Sequence, residues 1–345
     1  MNPTKILFIG LGGAGQRHLR IFRELLPNDT DFSAYRKTSK TPLLNADFTV
    51  NAETTLDSFY GLRIFDKVEA AFENEPALTV ISNPTSFHRK SMMMALNVNS
   101  NIFVEKPWAE NLEGFVKFKD LVLAKKIKFH ISFQRRYHSQ IKDAFNAFNS
   151  GVIGRPIAAT FTVFSNVPSW HPYEDWRSLY AVRSELGGGV LLTEIHEIDL
   201  VNWFFGIPNA VFCSGGNYSH EKLSVEDTVN LTLLYNNFSV QLILCFMHKS
   251  PSRRIHIAGT SGEILWEDKT GILKISPFDG NEVVKSAQLI TNDDMFMAQA
   301  NNFLFDWSEK NTLESLKAAA NSLSVVESAK RSMKTGKAEL VKNYF

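Results

Sequence analysis

Residues 5–16, KILFIGLGGAGQ, decide the fold. Residues 5–9 are short, β-rich and almost wholly apolar, which is how a strand buried on both faces reads. Gly10-Leu11-Gly12-Gly13-Ala14-Gly15 follows at once and fits G-x-G-x-x-G. Residues 16–26 then place Leu19, Phe22 and Leu26 on one stripe, and Pro27 stops them, so they read as a helix. A glycine-rich turn alone is a weak signal. Between a strand and a helix it becomes a phosphate cradle. Gly10 permits the tight turn, Gly12 lets a pyrophosphate approach the backbone, and Gly15 lets helix pack on strand. The N–H groups of Gly13, Ala14 and their neighbours, with the helix dipole, face the anion.

Outward from this segment the alternation continues. Strand-like runs at 32–35, 78–82, 101–104 and 128–133 are separated by helical patterns at 66–73, 88–96 and 112–124. Such alternation implies parallel strands joined by right-handed crossovers, hence an α/β, doubly wound Rossmann sheet over residues 1–130. A different pattern fills residues 131–345. After a helix at 140–149 come strand-like runs at 157–164, 210–214, 229–235, 239–246, 254–258, 263–267 and 271–275. Short links such as Asn236-Asn237 predict antiparallel hairpins, and the domain reads as α+β. Residues 163–186 show few regular signals and read as a lid or partner-contacting loop. A final amphipathic helix covers 314–335 and is expected to pack back toward the N-terminal domain.

Composition narrows the function. At 345 residues the chain exceeds what one core usually holds, and 44% hydrophobic with 21% charged residues is ordinary for a folded protein. A net charge of +1 gives no bulk field for nucleic acid or an anionic membrane. Neither kind of partner is expected. The two cysteines, Cys213 and Cys245, sit in apolar strand-like contexts outside any CxxC, as reduced buried thiols do. With no signal-peptide core and no long apolar run, the expected location is the cytoplasm.

The end of the second strand indicates the cofactor. A carboxylate there accepts from the ribose hydroxyls of NAD. This chain has Tyr35-Arg36-Lys37-Thr38-Ser39 instead. Arg36, Lys37 and Ser39 suit a 2′-phosphate, so NADP is expected in preference to NAD.

Glu105-Lys106-Pro107 follows a buried strand, which itself follows Asn83-Pro84-Thr85 and His88. Gly187-Gly188-Gly189, His196, Asp199, Trp203 and Gly206 come later in the same order. With the glycine turn, this ordered set resembles the Gfo/Idh/MocA oxidoreductase family across nearly the whole chain. The resemblance implies a C-terminal domain with a large, mainly antiparallel, open-faced sheet. It implies hydride transfer between nicotinamide and a hydroxyl-bearing carbon of a sugar, inositol or sugar nucleotide. It places Lys106 near the reacting carbon and makes His196 the proton-transfer group. Asn83, Pro84 and Thr85 would line the nicotinamide side, with His88 and Glu105 nearby in the cofactor site. One departure stands out: the family's Asp four residues before the His is Leu192 here, and counting from the glycines puts Thr193 in its place. Members of polysaccharide-biosynthesis type share this shorter version, which tilts the substrate toward a sugar or sugar nucleotide.

The residues themselves suit that chemistry. His196 titrates near neutrality and can take the hydroxyl proton as hydride leaves carbon. Lys106 can stabilise alkoxide character on the oxygen. Arg135 and Tyr137 follow the last Rossmann strand, at the junction where pockets form. Trp170, Trp176 and Arg177 offer aromatic faces to sugar C–H groups and a guanidinium to an anion. With Thr193 and His196 they make up the expected substrate site. Glu194, His196, Glu197 and Asp199 lack the H-E-x-x-H spacing, so no metal is expected, and Asp199 reads as a helix anchor. Two other functions stay open: a cofactor-sensing regulator without turnover, and a redox-neutral, NAD-dependent glycoside hydrolase. The free face of the second sheet is expected to be buried in a homodimer or homotetramer.

Overall fold

A computed structural model describes residues 4–36, 41–286 and 290–345. The first sheet has six strands, all parallel, in the spatial order Arg63–Phe65, Asp31–Tyr35, Lys5–Ile9, Leu78–Ile81, Asn101–Glu105, Phe129–Ser132. In chain order this is 3-2-1-4-5-6, the doubly wound dinucleotide-binding arrangement. Its strands are buried on both faces. Ile6 and Phe8 pack with Leu19, Phe22, Phe296 and Phe303, while Leu7 and Ile9 pack with Met92, Leu96 and Phe118. The helix Gly13–Leu25 starts three residues before the expected residue 16, because the glycine turn itself forms the first helical turn.

The second sheet has nine strands. Its order is Val283–Ser286, Ile272–Pro277, Gly262–Glu267, Met247–Gly259, Pro156–Asn166, Ser239–Cys245, Thr228–Leu234, Ala210–Gly216, Glu339–Leu340. Every pairing is antiparallel except Ser239–Cys245 against Pro156–Asn166, which is parallel. The alternation is clean. Val229, Leu231 and Leu233 face in, as do Val240, Leu242 and Leu244. The inward face is covered by the helices Ser139–Asn149, Ile195–Phe205 and Glu309–Thr335.

Several elements depart from the sequence reading. The strand Arg63–Phe65 and the helix Asn292–Phe305 carry no strong pattern and were not expected; the helix starts at a reciprocal Thr291–Asp294 capping box. The final helix runs Glu309–Thr335, five residues longer at its start, and it joins the two sheets. Thr312 and Ser315 accept hydrogen bonds from the Phe129 and Ile131 backbone N–H groups at 3.3 and 2.8 Å. Ser332 does the same for Cys213 N–H at 2.8 Å. Residues 167–186 form four single 3-10 turns after the strand Pro156–Asn166.

A buried ion pair locks the junction. Arg136, in the turn after Phe129–Ser132, donates both Nε and Nη2 to Asp199 at 2.7 and 2.8 Å. Asp199 is 1% exposed and thus acts as the anchor its position suggested. Removing one member of a buried pair strands the other charge. Arg136→Ala is therefore expected to lower the unfolding free energy by about 3 kcal/mol in urea denaturation. A loss below about 1 kcal/mol would show that Ser322, 3.4 Å from the same carboxylate, suffices.

Candidate active site

The first wall of the site is the glycine turn. Gly10 lies at φ +93°, and a Cβ there would sit 2.6 Å from the Asn83 nitrogen. A Cβ on Gly15 would lie 2.3 Å from the Gly10 carbonyl oxygen. Both positions exclude a side chain for packing reasons. Gly12 is different: it caps the helix Gly13–Leu25, and nothing lies within 4 Å of where its Cβ would be. Open space beside the first N–H groups of this helix is the shape a pyrophosphate requires.

The second wall is the segment after Leu78–Ile81, across the point where the strand order reverses. Asn83 donates its amide to Ser91 at 3.1 Å. Its Oδ1, and Oγ1 of the neighbouring Thr85, are buried without a protein partner. Buried orphan oxygens are uncommon, and two together beside a cradle fit a polar ligand group such as a carboxamide. Pro84 opens the short turn Thr85–Phe87 that presents them.

Lys106 comes from the end of the strand Asn101–Glu105, and its Nζ donates to the Thr193 carbonyl oxygen at 2.6 Å. Thr193 ends the short helix Val190–Thr193, which the glycine run introduces. Gly187 packs so tightly on Thr85 that a Cβ would lie 2.8 Å from the Thr85 Cβ. The chain breaks at Glu194, and the helix Ile195–Phe205 begins with His196 in its first turn. Lys106, Thr193 and His196 are thus brought together with Asn83–Thr85. Thr193 Oγ1 and His196 Nδ1 are also buried without partners.

Charge around His196 is one-sided. Burial, then the positive charges of Lys106, Arg253 and Arg135, hold its imidazole well below the ordinary range. The ring is neutral at pH 7, with a lone pair to offer. Arg253 is 2.8 Å from Glu197 and 3.2 Å from Glu194, all three buried. Burial raises the Glu197 carboxyl against the pull of Arg253. Arg135 stands beside this group, and burial with the like charge of Arg253 brings it down to about 10.

Other expected site residues go elsewhere. Glu105 reaches back to His18 at 2.7 Å and ties the loop of Lys106 to the dinucleotide helix. Burial would raise this carboxyl, but the hydrogen bond and charge of His18, then Lys106, keep it below its usual range. His88 is buried, with its ring nitrogens 2.8 Å from the Pro107 and Asn83 carbonyl oxygens. Both residues brace the loops that carry Lys106 and Asn83. Glu194 is paired with Arg253 and accepts from the Ser165 hydroxyl. Tyr137 donates to Asn302 at 3.0 Å and lines a cleft of about 390 Å³ whose lining includes neither Lys106 nor His196. Arg177 stacks on Trp176 and pairs with Glu221 at 3.0 Å, and it is exposed. Trp170 packs against the core. Arg36 stands at the end of Asp31–Tyr35, donating to the Thr41 carbonyl at 2.8 Å, while Lys37 and Ser39 lie outside the described residues.

Sequence reading missed His18 and Arg253, and weighed Glu197 only as a metal ligand. Arg253 did leave a signal, since it falls in phase with the buried Ile255 and Ile257 of one strand.

The family model for the oxidoreductase NAD-binding Rossmann fold matches residues 4–133, and that for the Gfo/Idh/MocA C-terminal domain matches residues 141–265. The chain belongs to the Gfo/Idh/MocA oxidoreductase family. It is similar to an inositol 2-dehydrogenase/D-chiro-inositol 3-dehydrogenase of Lacticaseibacillus casei, 28% identical over 58% of this chain and 52% of that protein. It is also similar to a 2,7-anhydro-N-acetylneuraminate hydratase of Mediterraneibacter gnavus, 26% identical over 67% and 59%. The chain thus spans about half the length of the curated relatives it matches. Among solved structures, levoglucosan dehydrogenase with NADH and L-sorbose superimposes at a TM-score of 0.79, with 15% identity over 99% of this chain and 100% of that one. Myo-inositol 2-dehydrogenase of Lactobacillus plantarum superimposes at 0.76, with 18% identity over 99% and 100%. These two likenesses show the fold.

The buried imidazoles make the fold sensitive to acid. Burial pushes both His130 and His138 down to about 4. They stay neutral in the folded chain while the unfolded chain takes up protons near pH 6.5. Their contribution is complete above that pH and is lost as pH falls toward 4. The melting temperature should drop by several degrees between pH 7.5 and pH 5, and a flat profile would show that these rings titrate normally when folded.

Proposed function

We propose that this chain is a nicotinamide-dependent dehydrogenase or reductase acting on a CH–OH group of a sugar, inositol or sugar nucleotide. The observation that carries the proposal is the Lys106–Thr193 contact, which sets an ammonium group and a neutral imidazole beside the orphan oxygens of Asn83 and Thr85. The glycine turn would hold the pyrophosphate, and Asn83, Pro84 and Thr85 the nicotinamide. Bound there, the cofactor supplies a hydride acceptor or donor.

The protein's own groups do the rest. His196 is neutral and accepts the hydroxyl proton. The same depressed basicity makes its protonated form a ready donor in the reductive direction. Lys106 keeps its charge on the substrate oxygen while the Thr193 carbonyl fixes its position. The Thr193 hydroxyl occupies the place of the family's carboxylate and can orient a substrate hydroxyl, but it is no base. The chemistry therefore rests on Lys106 and His196 alone. Arg135 is the remaining expected substrate contact that lies beside them.

Arg36 at the strand end, with no acid there, supports NADP(H) as the preferred cofactor. Several similar folds carry NADH by their descriptions, which makes NAD(H) the competing choice. Titration with NADPH and NADH, followed by nicotinamide fluorescence, decides between them. The outer face of the second sheet exposes Ile157, Phe212 and Leu265, which supports burial in a homodimer or homotetramer. No described helix is long and apolar enough to cross a membrane, and the expected location stays the cytoplasm. The hydratase among the relatives supports a second reading, redox-neutral turnover on a retained NAD. Cofactor that co-purifies in stoichiometric amount would favour it.

Lys106→Ala and His196→Ala should each lower kcat by about 10²- to 10⁴-fold while leaving NAD(P)H binding nearly intact. Full activity in either variant would remove that residue from the chemistry.

A further inference from the structure

The glycine turn is covered from outside its own domain. The loop between the strand Pro156–Asn166 and the glycine run reaches 160 residues back along the chain, and the Tyr173 hydroxyl accepts a hydrogen bond from Gly13 N–H at 3.2 Å. His171 stacks on the Tyr173 ring, with centroids 5.1 Å apart and planes 19° apart. Its Nε2 comes within 3.4 Å of where a Cβ on Gly13 would be. A third segment meets them there. Phe48 lies at φ +67°, a costly conformation for a bulky side chain, and its ring would stand 3.1 Å from that same Cβ. Phe48 packs edge-on against His171 at 5.8 Å and under the Arg17 guanidinium at 4.7 Å.

The Tyr173 proton has one protein acceptor within reach, the Glu174 carboxylate, which it shares with His171. His171 Nδ1 is 2.8 Å from Glu174 Oε1 and gives its proton to that carboxylate. The same nitrogen, 3.2 Å from the Tyr173 oxygen, then has no lone pair for the tyrosine proton. Burial, then the charge and the hydrogen bond of Glu174, raise the phenol above its ordinary range, so it stays a donor. A phosphate oxygen that takes the Gly13 N–H in place of the phenol oxygen would lie beside this hydroxyl and could replace Glu174 as the hydrogen-bond acceptor of its proton.

We propose that Tyr173 is a cofactor-binding residue: its hydroxyl donates to a pyrophosphate oxygen of the dinucleotide, and His171 and Phe48 hold it over the cradle as a clasp. This rests on the dinucleotide-site reading above. It ties cofactor retention to a loop of the half that carries His196.

Tyr173→Phe removes one oxygen from a half-buried side chain, so the fold should survive, and an unchanged melting temperature checks this. NAD(P)H binding is read by nicotinamide fluorescence, and ADP-ribose by competition. The clasp predicts a loss of about tenfold or more in Kd, the worth of one hydrogen bond to a charged group, equal for NAD(P)H and ADP-ribose. Wild-type binding with no loss in the variant would overturn the clasp and leave the dinucleotide site standing. A loss for NAD(P)H but none for ADP-ribose would move the contact off the pyrophosphate and overturn it too. A wild-type protein that binds neither ligand would overturn the dinucleotide site itself, and the clasp with it.

Discussion

A buried strand edge must find hydrogen-bond partners, and in this protein three side-chain hydroxyls meet that demand. The strand Phe129–Ser132 closes one side of the parallel sheet with no further strand to pair with. Its outward N–H groups would be orphaned under the last helix, at a cost comparable to a lost hydrogen bond each. Thr312 and Ser315 satisfy them. Ser332 does the same on the other sheet, beyond the two residues that Glu339–Leu340 covers. Small hydroxyl residues let the helix lie close on a strand edge while still offering an acceptor. The two sheets therefore keep a common wall, and the loops bearing Lys106 and His196 keep their distance from one another.

On that wall the site is assembled from backbone as much as from side chains. Lys106 is aimed by a carbonyl group, that of Thr193. His196 is aimed by the break in the helix at Glu194, and Phe133 lies edge-on to its ring at 6.0 Å. Behind them, Arg253 neutralises two buried carboxylates that would otherwise raise the basicity of His196. What reaches His196 is a surplus of positive charge. The imidazole is kept neutral by its burial and by its neighbours.

The parallel strands were legible because burial on both faces leaves unbroken apolar runs such as LTVI at 78–81. Arg63–Phe65 was not, being three residues long and paired on one side only. The helix Asn292–Phe305 was hidden by the asparagines that interrupt its apolar stripe of Phe296, Ala300 and Phe303, although the T-x-x-D cap at its start was there to be found. In the site, Lys106 and His196 were visible through their flanking motifs. The carbonyl that positions Lys106 was not, since a backbone acceptor leaves no mark on residue identity. Arg177 and Tyr137 looked like ligand contacts by type. The structure gives each a protein partner, Glu221 and Asn302, that lies far away in the chain and leaves no local mark in the sequence.

The stitching helix also bears on how the chain is made. A ribosome releases residues 5–132, the whole parallel sheet, nearly two hundred residues before Thr312 and Ser315 emerge. Through that interval the edge at Phe129–Ser132 is open, and an open edge is a template for pairing with another chain. The hydroxyls that complete the native wall arrive late, as do Phe296 and Phe303, which pack on Ile6 and Phe8, so the nascent protein passes an aggregation-exposed interval with that flank bare.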